Sequence, residues 1–330
     1  MDFKTITVAV LSAVAVTTGI YMLLEDRGES NSYLDQFLEH KRRYRKTYSS
    51  KEELEYRLIV FSQNMEFIDR HNQQDKPFEL GENQFTDMTF TEFKNKYLFQ
   101  EPLENHLKGE NEGDMPAGGI DWRSQGKVTE VKNQDACGSC WAFSATGSLE
   151  SAYAIFKDMT IELSEQELVD CSRDYGNFGC MGGLMTHAFD YIKSKSISTE
   201  KDYPYKAQDG VCQVDLDAQR YGLAAYKLLE PRDVTGLCDS LDKQPVSVAI
   251  EVQPDFMHYK KGIYVNDSCG ALLNHGVLAV GFNTEGDIPY FIVKNSWGKD
   301  WGDQGYIKMK IGKGSGTCGI ANNWDTYPQL

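Results

Sequence analysis

The sequence predicts an α+β chain: a small, mainly helical domain precedes a larger body with one helical lobe and one lobe of antiparallel strands. Three observations predict it. All eight cysteines lie after residue 136, so the front and the back of the chain are built differently. Helical patterns fill residues 140–195, and from about residue 245 short apolar or alternating runs separated by turns replace them. Helices first and strands second is an α+β order rather than a βαβ alternation. The 330 residues are 41% hydrophobic and 25% charged, which suits about two ordinary globular domains.

The front of the chain opens with residues 5–24, TITVAVLSAVAVTTGIYMLL, which carry no charge. The run is long enough to span a bilayer, so residues 1–25 are expected to be either a cleaved signal peptide or an uncleaved membrane anchor. With Lys4 before the run and Glu25-Asp26 after it, both readings send the rest of the chain across the membrane. That places it in the secretory pathway, where disulfides are permitted. In residues 31–73, Leu54, Leu58, Phe61, Met65 and Ile68 recur at three- and four-residue steps and predict one buried helical stripe. Ser49 or Ser50, followed by Glu52 and Glu53, suits the start of that helix. A helical front domain is expected over residues 31–99. Residues 100–115 are polar, contain Gly and Pro, have no hydrophobic period and read as an exposed linker that proteases can cut.

The body is expected over residues 116–330. CWAFSATGSLESAYAIFK predicts a helix over 140–157, and Ser164 with Glu167 predicts a capping box opening a short one. Residues 183–195 continue helically. VSVAIEV, HGVLAVGF, YFIVKNSW and GYIKMKI read as strands. The net charge of −15 argues against nucleic-acid binding, which needs clustered Lys and Arg.

Cys140 sits where a glycine-containing loop enters a helix. Unpaired N–H groups and a partial positive charge there favour thiolate, the reactive nucleophile. Cys137 three residues before it also admits a thiol–disulfide oxidoreductase. His275 starts an apolar strand and can move a proton near neutral pH. Asn295 ends another strand; it could orient the imidazole, and Trp297 could shield that hydrogen bond from water.

Together with Asp121-Trp122-Arg123, Gln134, Cys180-Met181-Gly182-Gly183, Asn295-Ser296-Trp297-Gly298 and Cys318-Gly319-Ile320-Ala321, the block Cys137-Gly138-Ser139-Cys140-Trp141 resembles the papain family of cysteine proteases, in its cathepsin L-type form. The resemblance implies a papain-like two-lobed fold with the cleft between the lobes. It also implies a cysteine endopeptidase in which Cys140 and His275 act as a thiolate–imidazolium pair. Gln134 and the Cys140 N–H would form the oxyanion hole. Gly183 would pair with substrate backbone, and Leu184, Met185, Ala249, Leu273 and Gly276 would line an apolar pocket for the second residue before the cut. Asn323 would be its floor, with Gly182, Asn274 and Trp297 beside the cleft. Disulfides Cys137–Cys180, Cys171–Cys212 and Cys269–Cys318 are implied, leaving Cys140 free and Cys238 as a buried inert thiol. No metal site or cofactor is expected.

Ahead of this body, Glu53, Arg57, Phe61, Asn64, Ile68 and Asn72 are spaced as in the cathepsin L-type propeptide, and Gly81, Asn83, Phe85 and Asp87 follow as its second motif. The resemblance therefore implies a zymogen, with the front domain an intramolecular inhibitor that lays the linker through the cleft and that acid loosens, Asp87 being one group involved. Processing would fall near residues 114–118. Protein or peptide substrates, a monomer, and a lysosomal, vacuolar or extracellular destination are expected. A catalytically inactive binding homologue is the third alternative. The chain departs from the family pattern at Asp135, where the family usually has Gly. If the backbone there is left-handed, Asp is among the few tolerated substitutes. Asn266-Asp267-Ser268 is an N-glycosylation sequon.

Overall fold

The computed structural model describes residues 33–99, 103–104, 116–215, 217–270, 272–322 and 324–330. Residues 5–24 and Asn323 lie outside them, as do the candidate processing positions 114 and 115. No helix among the described residues is long and apolar enough to cross a membrane. The chain forms two compact units, divided between Phe67 and Ile68.

In the first unit, α1 (Leu34–Arg43) is followed by α2 (Lys51–Asn72), which runs on into the second unit. The start of α2 is doubly held: Ser50 Oγ accepts the Glu53 N–H, and the Glu53 carboxylate accepts the Ser49 N–H and hydroxyl. Leu58, Phe61 and Met65 of the stripe are buried, whereas Leu54 is only half-buried. Phe61 packs on Phe37 and His40, with ring centroids 5.5 and 5.0 Å away.

The second unit starts with the end of α2. The Asn72 side chain imitates a neighbouring strand: its Oδ1 accepts the Leu80 N–H and its Nδ2 donates to the Leu80 carbonyl, both at 2.9 Å. This fixes β1 (Phe78–Leu80), which pairs antiparallel with β6 (Tyr259–Tyr264). Residues 78–99 therefore belong to the same compact unit as the body. A full capping box opens α3 (Phe90–Tyr97), formed by Thr89 and Glu92. The box expected at Ser164 is only half made. Ser164 Oγ accepts the Glu167 N–H, but the Glu167 carboxylate is engaged by Tyr191, Arg220 and the Ser198 N–H.

The helical lobe contains α4 (Cys140–Phe156), α5 (Glu165–Cys171) and α6 (Met185–Lys195). Almost every residue of α4 up to Ala154 is buried, and its many small side chains let neighbours approach on all sides. A Cβ on Gly147 would stand 3.0 Å from a methyl of Leu278.

The other lobe is a sheet ordered β1-β6-β10-β9-β8-β5-β11-β4. Its remaining members are β4 (Ala225–Leu228), β5 (Val246–Ile250), β8 (His275–Asn283), β9 (Tyr290–Lys294), β10 (Tyr306–Lys310) and β11 (Thr326–Gln329), while β3 (Gly119–Asp121) pairs with the far end of β8. The strands pair antiparallel with one exception, β6 with β10, which run parallel. Every residue of β8 before Asn283 is buried, so its run reads as continuous rather than alternating. Separately, β2 (Leu103–Glu104) pairs antiparallel with β7 (Leu272–Leu273). The last two helices are α7 (Val234–Leu241) and α8 (Pro254–Met257).

Cys137–Cys180, Cys171–Cys212 and Cys269–Cys318 are disulfide-bonded, and Cys140 and Cys238 are free and buried. Burial pushes the Cys238 thiol up to about 12, the behaviour of an inert core thiol. The Asn266 amide nitrogen, to which a glycan would be attached, is held by the Asp255 carboxylate at 3.2 Å and by the Tyr264 hydroxyl.

Candidate active site

Cys140 is the first residue of α4, and its side chain is fully buried. The N–H of Gly276 donates to its Sγ at 3.4 Å. The helix N–H groups of Cys140 and Trp141 also favour the ionised sulfur. Gly276 follows His275, so the start of β8 brings the imidazole beside this helix end. The approach is close here: a Cβ on Gly276 would stand 3.2 Å from the Trp141 Cα and 3.3 Å from the Met185 sulfur.

His275 Nε2 is 2.8 Å from Asn295 Oδ1. That oxygen also accepts the Ser296 N–H at 2.8 Å, which fixes it as the carbonyl end of the amide. His275 therefore donates from Nε2, and its Nδ1 carries the lone pair. Nδ1 is buried and has no hydrogen-bond partner among the described residues. Trp297 stacks on the imidazole at 4.6 Å and closes this side against water.

The Gln134 amide is oriented by its oxygen, which accepts from the Ser296 hydroxyl at 2.7 Å and from Trp297 Nε1 at 3.1 Å. Its Nε2 is thereby aimed at two carbonyls: Cys137 at 2.8 Å and Tyr97, the last residue of α3, at 2.9 Å. Asp135 follows with φ of +48°, the left-handed backbone that its place in the pattern requires. Partial burial pushes its carboxyl up, against the opposing hydrogen bond from Asn133.

The apolar pocket residues are gathered but not empty. Met185, Ala249 and Leu273 are buried in one cluster with Cys140, Trp141 and Phe99. Phe99 donates its N–H to the Asn274 carbonyl at 2.9 Å, and its ring lies 3.5 Å from where a Cβ on Gly182 would be. Leu184 and Gly183 are half-buried at the rim. A Cβ on Gly183 would collide with Trp141 at 2.8 Å and with Asn177 Oδ1 at 2.4 Å, so the packing of these two side chains needs glycine there. The segment from Tyr97 to Phe99 thus covers the site from the Gln134 amide to this cluster.

Burial is the largest influence on both groups. It pushes the Cys140 thiol up to about 12, despite the opposing N–H groups of Gly276, Trp141 and Cys140. It pulls the His275 imidazole down to about 4, despite Asn295. Burial therefore opposes the thiolate–imidazolium pair implied by the resemblance while the site is covered, and admitting water to the cleft would favour it. The redox alternative has no dithiol to work with, because Cys137 is bonded to Cys180 rather than facing Cys140 as a free thiol.

Residues 117–327 match the papain family cysteine protease domain, and residues 37–93 match the cathepsin propeptide inhibitor domain. The chain is 42% identical over 320 residues to Pro-cathepsin H of Medicago truncatula, covering 93% of this chain and 89% of that one. It is 41% identical to a Cathepsin L-like proteinase of Fasciola hepatica, covering 87% and 91%. The chain belongs to the papain family of cysteine proteases. Among solved structures it resembles digestive procathepsin L 3 of Tenebrio molitor larval midgut, with a TM-score of 0.82, 36% identity, and coverage of 91% of this chain and 99% of that one. It also resembles a recombinant stem bromelain precursor, with a TM-score of 0.81, 37% identity and coverage of 90% and 98%. It is a zymogen of a papain-family cysteine peptidase, carrying its own cathepsin-type inhibitor domain. Its family and its disulfides are consistent with the secretory pathway.

Behind the His275–Asn295 pair, this papain-family body holds a buried charge cluster that sequence reasoning missed. Lys132 Nζ lies 2.8 Å from Glu150 and 2.7 Å from Glu165, both carboxylates being within 1% of full burial. Lys294, next to Asn295, donates to Thr129. A cavity of about 20 Å³, roughly the room one water needs, lies among Lys132, Glu150, Glu165, Lys294 and Asn295. Burial pulls Lys294 down to about 8. Glu200 is held up at about 7 by burial and by Glu165, despite accepting the Tyr205 N–H.

The folded pKa of Glu200 lies above the unfolded value of ~4.3, so its contribution to stability is complete below that value and is lost as pH rises towards about 7. Glu200→Gln keeps an oxygen for the Tyr205 N–H and cannot ionise. It is expected to raise the proenzyme Tm at pH 7.5 by roughly 2–4 °C and to leave it nearly unchanged at pH 4.5. Thermal scans at the two pH values check this; an equal shift at both would mean that charge is not the cause.

Proposed function

We propose that this zymogen matures to an endopeptidase with Cys140 as nucleophile, His275 as acid and base, Asn295 as the orienting residue, and Gln134 with the Cys140 N–H as oxyanion donors. The observation that carries this is the bare, buried Nδ1 of His275. The Asn295 hydrogen bond fixes it as an acceptor next to the N–H that contacts Cys140 Sγ. In the opened cleft, Nδ1 takes the Cys140 proton and the thiolate forms an S–C bond to the peptide carbonyl carbon. The oxygen gains the negative charge, and Gln134 Nε2 and the Cys140 N–H stabilise it. Collapse breaks the C–N bond, and the imidazolium proton goes to the leaving amine. Water, deprotonated by Nδ1, then attacks the thioester; the carboxylic acid leaves and Sγ is restored.

A hydrophobic residue is proposed two positions before the cut. Met185, Ala249 and Leu273 are apolar and already accommodate the Phe99 ring, with Leu184 and Gly276 beside them. Asn323 remains the proposed floor. Gly183, with Gly182, would pair with substrate backbone. The proposed organisation is a leader or anchor over 1–25, an inhibitory pro-domain over 31–99, an activation segment over 100–115 and the peptidase over 116–330. In the covered state the Tyr97 carbonyl takes the Gln134 donor that the reaction would use. Acid opening, with the buried Asp87 carboxyl as one group involved, would free it. The mature enzyme is proposed to be a monomer acting on proteins or peptides in a lysosome, a vacuole or outside the cell.

The test is acid processing of the proenzyme, followed by assay with an N-terminally blocked fluorogenic peptide carrying Phe or Leu at that second position. Activity is expected to appear with the wild type. Cys140→Ala is expected to lose at least about a thousandfold. Equal activity in the two proteins would reject the mechanism, and cleavage confined to unblocked peptides would reject the endopeptidase reading.

A further inference from the structure

Gln134 and Cys140 supply the two proposed oxyanion donors, yet a disulfide-bearing loop separates them. We infer that Tyr205 is a positioning residue for this site, because its hydroxyl ties together the two backbone segments from which both donors come. The inference rests on the roles proposed above for Cys140 and Gln134.

The Tyr205 hydroxyl donates to the Gln134 carbonyl at 2.7 Å. With its proton spent there, it accepts from Ser139 Oγ at 2.6 Å. One segment carries the Gln134 amide; the other passes from Ser139 directly to the Cys140 N–H. The loop between them bends through the left-handed Asp135 and the bonded Cys137. The phenol is the bridge across it. Its ring is held edge-on to Phe143 at 4.9 Å, and its N–H is held by Glu200 at 2.8 Å.

Ser139 stands at the N-cap of α4, where a serine hydroxyl ordinarily accepts an N–H from the first turn. Here it makes no such bond. The phenol holds the hydroxyl elsewhere, and the N–H groups of Cys140 and Trp141 are left to favour charge on the sulfur. A helix N-terminus kept uncapped stabilises a thiolate and a developing oxyanion; a capped one does so less.

Tyr205→Phe keeps the ring and removes only the bridge. In the processed enzyme, kcat is expected to fall about tenfold, short of the ~10²–10³ lost when an oxyanion donor is removed outright, with KM within about twofold. The acid limb of Cys140 alkylation is expected to move to higher pH, a readout that mere loss of stability would leave in place. The bridge also predicts coupling. In a Gln134→Ala background, the added Tyr205→Phe change is expected to lower kcat by less than half the factor it costs alone. A folded Tyr205→Phe enzyme with kcat and acid limb unchanged overturns the inference, as does a fully multiplicative double variant. If the Phe variant does not mature, Ser139→Ala, which removes the other half of the bridge, takes its place; kcat there within twofold of the parent overturns the inference equally. Full activity in Gln134→Ala alone would instead reject the oxyanion assignment on which it rests.

Discussion

Alkylation of Cys140 by iodoacetamide at pH 6 is expected to run at least a hundredfold slower in the intact proenzyme than in the processed enzyme. Two effects act in the same direction. The thiol is fully buried beneath the Tyr97–Phe99 segment, so the reagent has no path to it. Burial also pushes its pKa up to about 12, which disfavours the reactive thiolate at pH 6. It pulls His275 down to about 4, which disfavours the imidazolium that would stabilise that charge. Opening the cleft reverses both effects, because water returns while the α4 N–H groups and His275 remain. Mass analysis of the Cys140-bearing peptide over time separates the two forms. Cys238 is an internal control: it is free and buried, and is expected to stay unmodified in both forms. A proenzyme alkylated as fast as the mature enzyme would mean that the pro-segment does not silence the thiol. Phe99→Ala is expected to fall between the two rates, because it uncovers part of the cluster and leaves the Tyr97 carbonyl on Gln134.

The two-lobed α+β order, and the family to which it belongs, could be read from short-range signals. The Cys140 helix, the apolar runs of β5, β8, β9 and β10, and the propeptide spacing from Glu53 to Asn72 are all local patterns. What could not be read depends on contacts between distant residues. Lys132, Glu150, Glu165 and Lys294 look like ordinary surface charges in sequence, and only the fold brings them together. Tyr205 carries no local signal, since its partners stand 66 and 71 residues away. The parallel pairing of β6 with β10 leaves no trace in either strand's own pattern. The capping box was expected at Ser164 because Glu167 has the right spacing, but Arg220 and Tyr191 outbid the cap for that carboxylate. The burial that opposes charge on Cys140 and His275 is likewise hidden, because it depends on how the fold covers them, which a motif cannot convey.

The charge cluster carries the second large effect. Lys132→Met is expected to destabilise the proenzyme by roughly 3–5 kcal/mol at pH 7.5, the usual cost of stranding a buried ionic partner. In the wild type, Lys132 offsets the burial of Glu150 strongly enough to hold its pKa below the ordinary value. Glu165 stays above it even so, because burial and the neighbouring Glu150 outweigh the lysine. Without Lys132, two carboxylates share one buried site with no cation between them, and they cannot both stay ionised. Lys294 is a poor replacement, because burial has pulled it down to about 8 and it is bonded to Thr129. The variant's carboxyls therefore have folded pKa values above their unfolded ones, which makes them stable as acids at low pH and costly as that pH is exceeded. The deficit is expected to shrink markedly at pH 4.5, and urea unfolding at the two pH values measures it. An equal deficit at both would show that Lys132 acts through packing rather than charge. The same loss should reach the active site, because Lys294 precedes Asn295 in β9 and the cavity between them borders the cluster. A looser Asn295 orients His275 less well, so any Lys132→Met enzyme that matures is expected to lose kcat more than it gains KM.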